Sequence, residues 1–293
     1  MPRSARSVLI KLLGSCLLLM TVPASFAQSI GSGARCGEVF VVSTHNGSTT
    51  RYALAQPTQQ PQPQGKPIAL VLLAGGNGYV NLDDTGCARA LKGNSLVRSI
   101  PLFRAAGFLT ALVDAPSTHH GADGLEGFRT DAQHAEDLGK VIADVQVRTK
   151  AIVWLAGTSR GAISAVNAAS RLSGAAPAGV VLTSPVTVGQ AGARKAWVAQ
   201  SVFDLKLEAI TVPLLVVGHA ADNCIRSPAK LIGNIAARTS SALKEVVTVS
   251  GGSGNSAADA STDACEGRSP HGFIGQEAEV AAGIARFVLG GKY

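Results

Sequence analysis

The sequence predicts an α/β chain with a mostly parallel central sheet and helices on both faces, and three observations lead there. Short apolar runs, of the kind shown by strands buried on both faces, alternate with longer segments of helical periodicity. The runs end in glycine-rich or polar turns, which in such sheets lie where ligands bind, outside the carboxyl ends of the strands. One of these turns, Gly157-Thr158-Ser159-Arg160-Gly161, sets a serine between two glycines directly after the apolar run Ala151 to Ala156.

The chain starts with the basic stretch Met1 to Arg6, a mostly apolar run Leu12 to Val22, and small residues at Ser25 and Ala27, the pattern of a signal peptide cleaved after Ala27. The apolar run is shorter than the roughly 20 residues of a bilayer span, so no integral membrane span is expected in the mature form. Leu13-Gly14-Ser15-Cys16 looks like a lipid-attachment box, but most of the apolar run follows Cys16 instead of preceding it, which speaks against a lipoprotein. Residues 28–293 are expected as a single secreted or periplasmic domain.

Glu38 to Thr44 and Thr50 to Leu54 read as two strands joined by a turn at Asn46-Gly47. Gln56 to Pro67, rich in proline and glutamine, reads as a surface linker, and Ile68 to Leu73 as a strand buried on both faces, ending in Ala74-Gly75-Gly76-Asn77-Gly78. A helix is expected around Ser95 to Ala106, then a strand from Phe108 to Val113 that closes on Asp114. Thr130 to Val147 fits a helix, because Ala132, Ala135, Leu138, Val141, Ile142 and Val145 recur at helical spacing. Beyond the serine turn, strand-like segments at Gly179 to Thr183, Pro213 to Gly218 and Glu245 to Val249 alternate with helical ones at Pro228 to Ala237 and Gln276 to Leu289. Only about thirty residues separate Thr183 from Pro213, so any lid is small. Gly251 to Asp263, full of glycine, serine and alanine, reads as a loop leading into a histidine segment.

Composition excludes some functions. The 26 basic and 19 acidic residues give a net charge of +7, and with Arg3, Arg6 and Lys11 removed with the signal the excess is +4. That is mild and scattered, with no lysine or arginine run interleaved with aromatics, and only 4% of residues are aromatic, so nucleic acid is not an expected partner.

A serine held in a sharp strand-to-helix turn needs neighbours without Cβ atoms, and Gly157 and Gly161 supply them. Two further residues complete a nucleophilic pattern. Asp222 follows the strand ending near Gly218, and His271 lies in Ser269-Pro270-His271-Gly272-Phe273 before the last helix. In the order serine, acid, histidine, the chain resembles the α/β-hydrolase family. The resemblance covers nearly all of the mature chain and implies an α/β-hydrolase fold with little or no lid, with Ser159 as nucleophile, His271 as base and Asp222 as the acid that orients it. It also implies an oxyanion hole made of the backbone amide of Arg160 and an amide from the Gly75-Gly76-Asn77-Gly78 loop, Gly76 or Asn77. Ala74 stands where many relatives have histidine. The run Leu91 to Ser99 is a further family-like feature, with no role attached to it.

Rival assignments are His219 as base and Asp114 as acid, but the first sits at a strand end beside Asp222 and the second precedes the serine. Arg160 is unusual inside such a turn, since its guanidinium at the site mouth would meet an acidic group on a substrate, although a surface position on the helix is the commoner outcome. His119 and His120, near Asp114 and Asp123, invite a metal reading, but adjacent histidines on an extended chain face opposite ways. They are expected to shape the pocket rim. No metal and no diffusible cofactor is implied.

The mature chain keeps Cys36, Cys87, Cys224 and Cys265, an even number that in an exported protein suggests two disulfides with three possible pairings. Cys224 with Cys265, and Cys36 with Cys87, is the favoured set, because the first bridge ties the acid loop to the histidine loop. The expected function is cleavage of an ester or related acyl bond in a small molecule. An acyltransferase or peptidase would use the same three residues, and a binding protein would keep the fold without turnover.

Overall fold

A computed structural model describes residues 35–59, 65–174, 176–253 and 259–293. The signal-like start with Cys16, part of the Gln56 to Pro67 linker and part of the loop before His271 lie outside the described residues.

Glu38–Ser43 (β1) and Thr49–Ala55 (β2) form an antiparallel hairpin. Its turn holds Asn46 at φ 46° and Gly47 at φ 76°, left-handed values that asparagine and glycine tolerate. The hairpin tip is anchored because the His45 amide donates to the buried carboxylate of Asp137 at 2.9 Å. The chain then runs through Ile68–Leu73 (β3), Ser95–Ala105 (α1), Leu109–Val113 (β4), Ala132–Thr149 (α2) and Ile152–Thr158 (β5). It continues with Gly161–Arg171 (α3), Gly179–Thr183 (β6), Ala196–Ala199 (α4), Leu214–His219 (β7), Ile232–Arg238 (α5), Lys244–Val249 (β8) and Glu277–Val288 (α6). The expected segments all form, with ends moved by a residue or two, except that α5 starts four residues after Pro228, behind a 3-10 turn at Ala229–Leu231. Helix α2 begins at Ala132 because the Asp131 carboxylate accepts the Gln133 amide at 2.8 Å and so caps the helix.

The strands form one eight-stranded sheet in the order β1-β2-β4-β3-β5-β6-β7-β8. The hairpin enters antiparallel to β4, and every pairing from β4 to β8 is parallel. Central strands buried on both faces have nothing but side chains to present to the helices above and below. The branched and leucine-rich runs of β3, β6 and β7 meet that demand. One face packs Val141, Ile142, Ile163, Val166 and Ile235 of α2, α3 and α5. The other packs Leu96 and Phe103 of α1 against Val280, Ile284 and Phe287 of α6. Between β6 and β7 lie only the four-residue α4 and two short 3-10 turns, so no lid domain covers the carboxyl edge there. No described helix is long and apolar enough to cross a membrane.

Cys36 is bonded to Cys87, and Cys224 to Cys265. The second bridge joins the loop after β7 to the loop after β8 across a sequence separation of 41. A closed loop of this size restricts the unfolded chain by about 4 kcal/mol in the chain-entropy picture, which native strain reduces. Replacing Cys224 and Cys265 together by alanine is expected to lower the urea midpoint of the oxidised protein by an amount equivalent to roughly 2 to 4 kcal/mol. An unchanged midpoint would show that the bridge adds nothing to stability.

Candidate active site

The turn after β5 is the tightest part of the site. Ser159 has φ 52°, a left-handed conformation that costs a residue with a side chain about 1 to 3 kcal/mol. It is held by backbone bonds on both sides: the Ser159 amide donates to Thr183 O at 2.9 Å, and the Ala162 amide donates to Ser159 O at 3.1 Å. Both flanking glycines are sterically required. A Cβ on Gly157 would stand 2.4 Å from Gly161 O, and one on Gly161 only 2.1 Å from Leu73 O of β3. The packing of α3 against β3 and β5 is therefore what keeps the serine in place.

Asp222 and His271 come together at the same edge of the sheet. His271 Nδ1 lies 2.9 Å from Asp222 Oδ2, and both side chains are buried. The second carboxylate oxygen accepts the Cys224 amide at 2.9 Å, so the acid is fixed by the bridged loop. His271 is fixed through Ser269, whose hydroxyl accepts the His271 amide at 3.1 Å and donates toward Ala264 O and Glu266 O. With Nδ1 turned to the carboxylate, the buried Nε2 has no hydrogen-bond partner, and Ser159 is not bonded to it. The serine turn and the histidine loop are linked by intermediates. Ser95 bonds Thr158 at 3.2 Å, and a small cavity is lined by Ser95, Thr183 and Phe273.

The glycine loop after β3 covers the serine. A Cβ on Gly75 would stand 3.0 Å from Ser159 Cβ, and Gly76 and Gly78 take φ values of 58° and 80°. Arg129 holds this loop from behind. Fully buried, its guanidinium donates to Ala74 O at 3.2 Å, Gly76 O at 3.3 Å and Ser164 Oγ of α3 at 2.7 Å. Across a trans peptide the amide lies opposite the carbonyl, so the Asn77 N–H is aimed away from Arg129. The Asn77 side chain is itself committed, donating to Gly121 O and Ala122 O at 3.1 Å each and accepting the Tyr79 amide. Among the described residues, the amides of Gly76, Asn77 and Arg160 donate to no group of the chain.

The rival residues have other work. Asp114 is buried, and its carboxylate accepts the amides of Val80, Asn81, Leu82 and Ala115, shaping the loop after β3. His219 packs beside the acid, accepting the Ala221 amide at 3.0 Å and meeting Gly251 O at 3.1 Å. His119 bonds Thr118 and stacks on Phe128, whereas His120 bonds Ala115 O and stacks on Tyr79, so the two imidazoles turn to different partners. Asp222, Cys224 and His271 bring possible ligand atoms close together, but the Cys224 sulfur is spent in its disulfide.

Two residues escaped the sequence reading. Arg98, in the run Leu91 to Ser99, donates to Gly93 O and to Gly267 O (2.7 Å) and Gly272 O (2.8 Å) of the histidine loop, and pairs with Glu277 at 2.9 Å. Arg129 is the other. Arg98 lies in α1 and Arg129 in the short turn before α2; the spacing of neither names its acceptors, and only the acceptor carbonyls reveal its purpose.

No protein-family model matches the sequence, and no curated protein matches it. Solved structures do share its architecture. An α/β serine hydrolase homologue from Coxiella burnetii matches with a TM-score of 0.57 at 16% identity, covering 88% of this chain and 100% of that one. The esterase RhEst1 from Rhodococcus sp. ECU1013 matches at 0.54 and 12% identity, covering 86% and 99%. An α/β serine hydrolase without lid from Xanthomonas campestris matches at 0.50 and 16% identity, covering 83% and 92%. The chain has the α/β-hydrolase fold, as the resemblance implied.

Behind the glycine loop, His134 Nε2 is hydrogen-bonded with Ser164 Oγ at 2.8 Å, and burial, helped by the Arg129 charge, holds this histidine down at about 3. The unfolded chain, with an ordinary histidine, takes up the proton first as pH falls. Stability from this group is therefore complete above about pH 6.5 and is lost progressively toward pH 3. Urea unfolding between pH 6.5 and 4.5 should show His134→Gln with a shallower loss than the wild type, by up to about 1.4 kcal/mol per pH unit. Parallel slopes would contradict a neutral buried His134.

Proposed function

We propose that this chain is a serine hydrolase that cleaves an ester or related acyl bond through a covalent acyl-enzyme. The observation that carries the reading is the buried Asp222–His271 pair, whose Nε2 is left without a partner at the sheet edge that also holds the strained Ser159. Ser159 Oγ attacks the carbonyl carbon while His271 Nε2 takes its proton, and Asp222 holds the imidazole with Nδ1–H toward itself and stabilises the imidazolium. The amides of Arg160, Gly76 and Asn77 meet the negative charge on the carbonyl oxygen, with Arg129 keeping the loop peptides oriented. Collapse of the tetrahedral species expels the alcohol, which takes the proton from His271. A water molecule, deprotonated by His271 in turn, then releases the acid and restores Ser159.

The ester preference draws on the esterases among the structural neighbours, and the short β6–β7 segment suits a small ester better than a long acyl chain. Residues 28–293 act as one exported domain after cleavage at Ala27, in the periplasm or outside the cell, where both disulfides persist.

A fluorophosphonate probe is expected to label the wild type and not Ser159→Ala. Asp222→Asn should lower kcat on a small ester by roughly 10³ to 10⁴ with the fold intact by circular dichroism. A wild type that takes no label, with Ser159→Ala equally blank, would favour a non-catalytic binding protein.

A further inference from the structure

Three guanidiniums surround the serine turn within electrostatic reach of one another: Arg129 senses Arg160, and Arg160 senses Arg226. None has an acidic side chain within ion-pair distance among the described residues. Two of the three are consumed by the fold. Arg129 is spent on Ala74 O, Gly76 O and Ser164, and Arg226 donates to Val188 O at 2.6 Å, Gln200 O at 2.9 Å and Trp197 O at 3.2 Å. The Arg160 guanidinium, by contrast, makes no hydrogen bond among the described residues and stacks over the Trp197 ring, 4.5 Å from the centroid.

Its surroundings are the loops at the carboxyl edge of the sheet. Trp197 belongs to the segment after β6, Arg226 to the loop after β7, and Glu126, the one acid that acts on Arg160, to the loop after β4. The Trp197 segment is clamped by Arg226 on one side. On the other, Gln200 donates to Gly127 O at 2.8 Å and to Thr130 at 2.7 Å. The aromatic ring thus forms a fixed wall for a cation one residue from the nucleophile. Half-buried, Arg160 is not the surface side chain that its helix-start position suggested. Burial first, and then the Arg226 charge, hold its guanidinium down at about 10, against a smaller opposing pull from Glu126. Arg194 and Lys195, just before α4, add exposed positive charge.

We propose that the Arg160 guanidinium receives a carboxylate carried by the substrate, so that the preferred substrates are half-esters of dicarboxylic acids. The proposal rests on the hydrolase reading and narrows it. A planar carboxylate matches the unused fork of donors and supplies the charge that the arginine cluster lacks. The neutral ester of equal length has no group to place there.

The test pairs methyl hydrogen adipate with methyl hexanoate and measures methanol release at several concentrations. The wild type is expected to favour the half-ester in kcat/KM by about tenfold to a hundredfold, the range of a charge-assisted hydrogen-bond pair. Arg160→Gln should bring the ratio near one, and Arg160→Lys should keep part of it. Taking the ratio cancels any loss common to both esters. A wild-type ratio at or below one, or a ratio untouched in Arg160→Gln, would overturn the proposal. Calorimetric titration of Ser159→Ala with methyl hydrogen adipate reads the site without turnover. Heat lost on adding Arg160→Gln supports the carboxylate site even if neither ester is hydrolysed, a result that would remove the hydrolase reading alone. Absence of heat in Ser159→Ala would count against the site itself.

Discussion

The left-handed backbone at Ser159 is the constraint around which the rest of the molecule is arranged. A serine does not stay at φ 52° on its own account. It stays because β5 and α3 meet at an angle with no room for a side chain at Gly157 or Gly161, and because Leu73 of β3 closes the space behind. The sheet core, with its branched side chains packed on both faces, supplies the rigidity that this turn consumes. A loosely packed sheet would let the turn relax toward an ordinary helix start, and the hydroxyl would lose its fixed, half-buried position.

Around the turn, irregular loops are made stiff by means that do not involve regular structure. Arg98 gathers carbonyls of Gly93, Gly267 and Gly272, Arg129 those of Ala74 and Gly76, and Arg226 those of Val188, Trp197 and Gln200. A guanidinium has five donors in a plane and carries charge, so it can satisfy several carbonyls that no strand or helix pairs. Asp114 does the complementary service for amides, accepting four of them at the end of β4. The Cys224–Cys265 bridge adds a covalent tie between the acid and histidine loops. The site is thus built from loops, yet each loop is tied at several points to a neighbouring element.

Using arginines this way also sets the field at the site. In the proposed reaction, positive charge near a carbonyl that gains negative charge in the transition state would favour the step, and in surroundings poor in water the effect is larger than on an open surface. The same charge repels itself, which depresses Arg129 and Arg160 beyond the effect of burial. Arg160, with donors unspent, is where an anionic ligand would relieve that repulsion.

The sheet and the Asp222–His271 pair were legible because their signals are local. Ser159, Asp222 and His271 each follow an apolar run or precede a helical one, and strand ends in a parallel sheet face the same side, so three separate motifs could be assigned to one edge. The hairpin at Asn46-Gly47 and the α2 face were readable for the same reason, since turn chemistry and helical spacing act within a few residues. The favoured cysteine pairing followed from that placement and is the one the structure shows. Arg98 and Arg129 were not legible. Their partners lie far along the chain, and a guanidinium bonding a carbonyl leaves no mark on the residue that offers it, because every residue has a carbonyl. Whether Arg160 faced water or its neighbours was likewise undetermined until Trp197 and Arg226 were placed beside it. Local patterning alone settled the order of elements and the residue types at their ends. The orientation of loop peptides and the balance of charge between loops were decided only in three dimensions, where groups distant in sequence compete for the same hydrogen bonds.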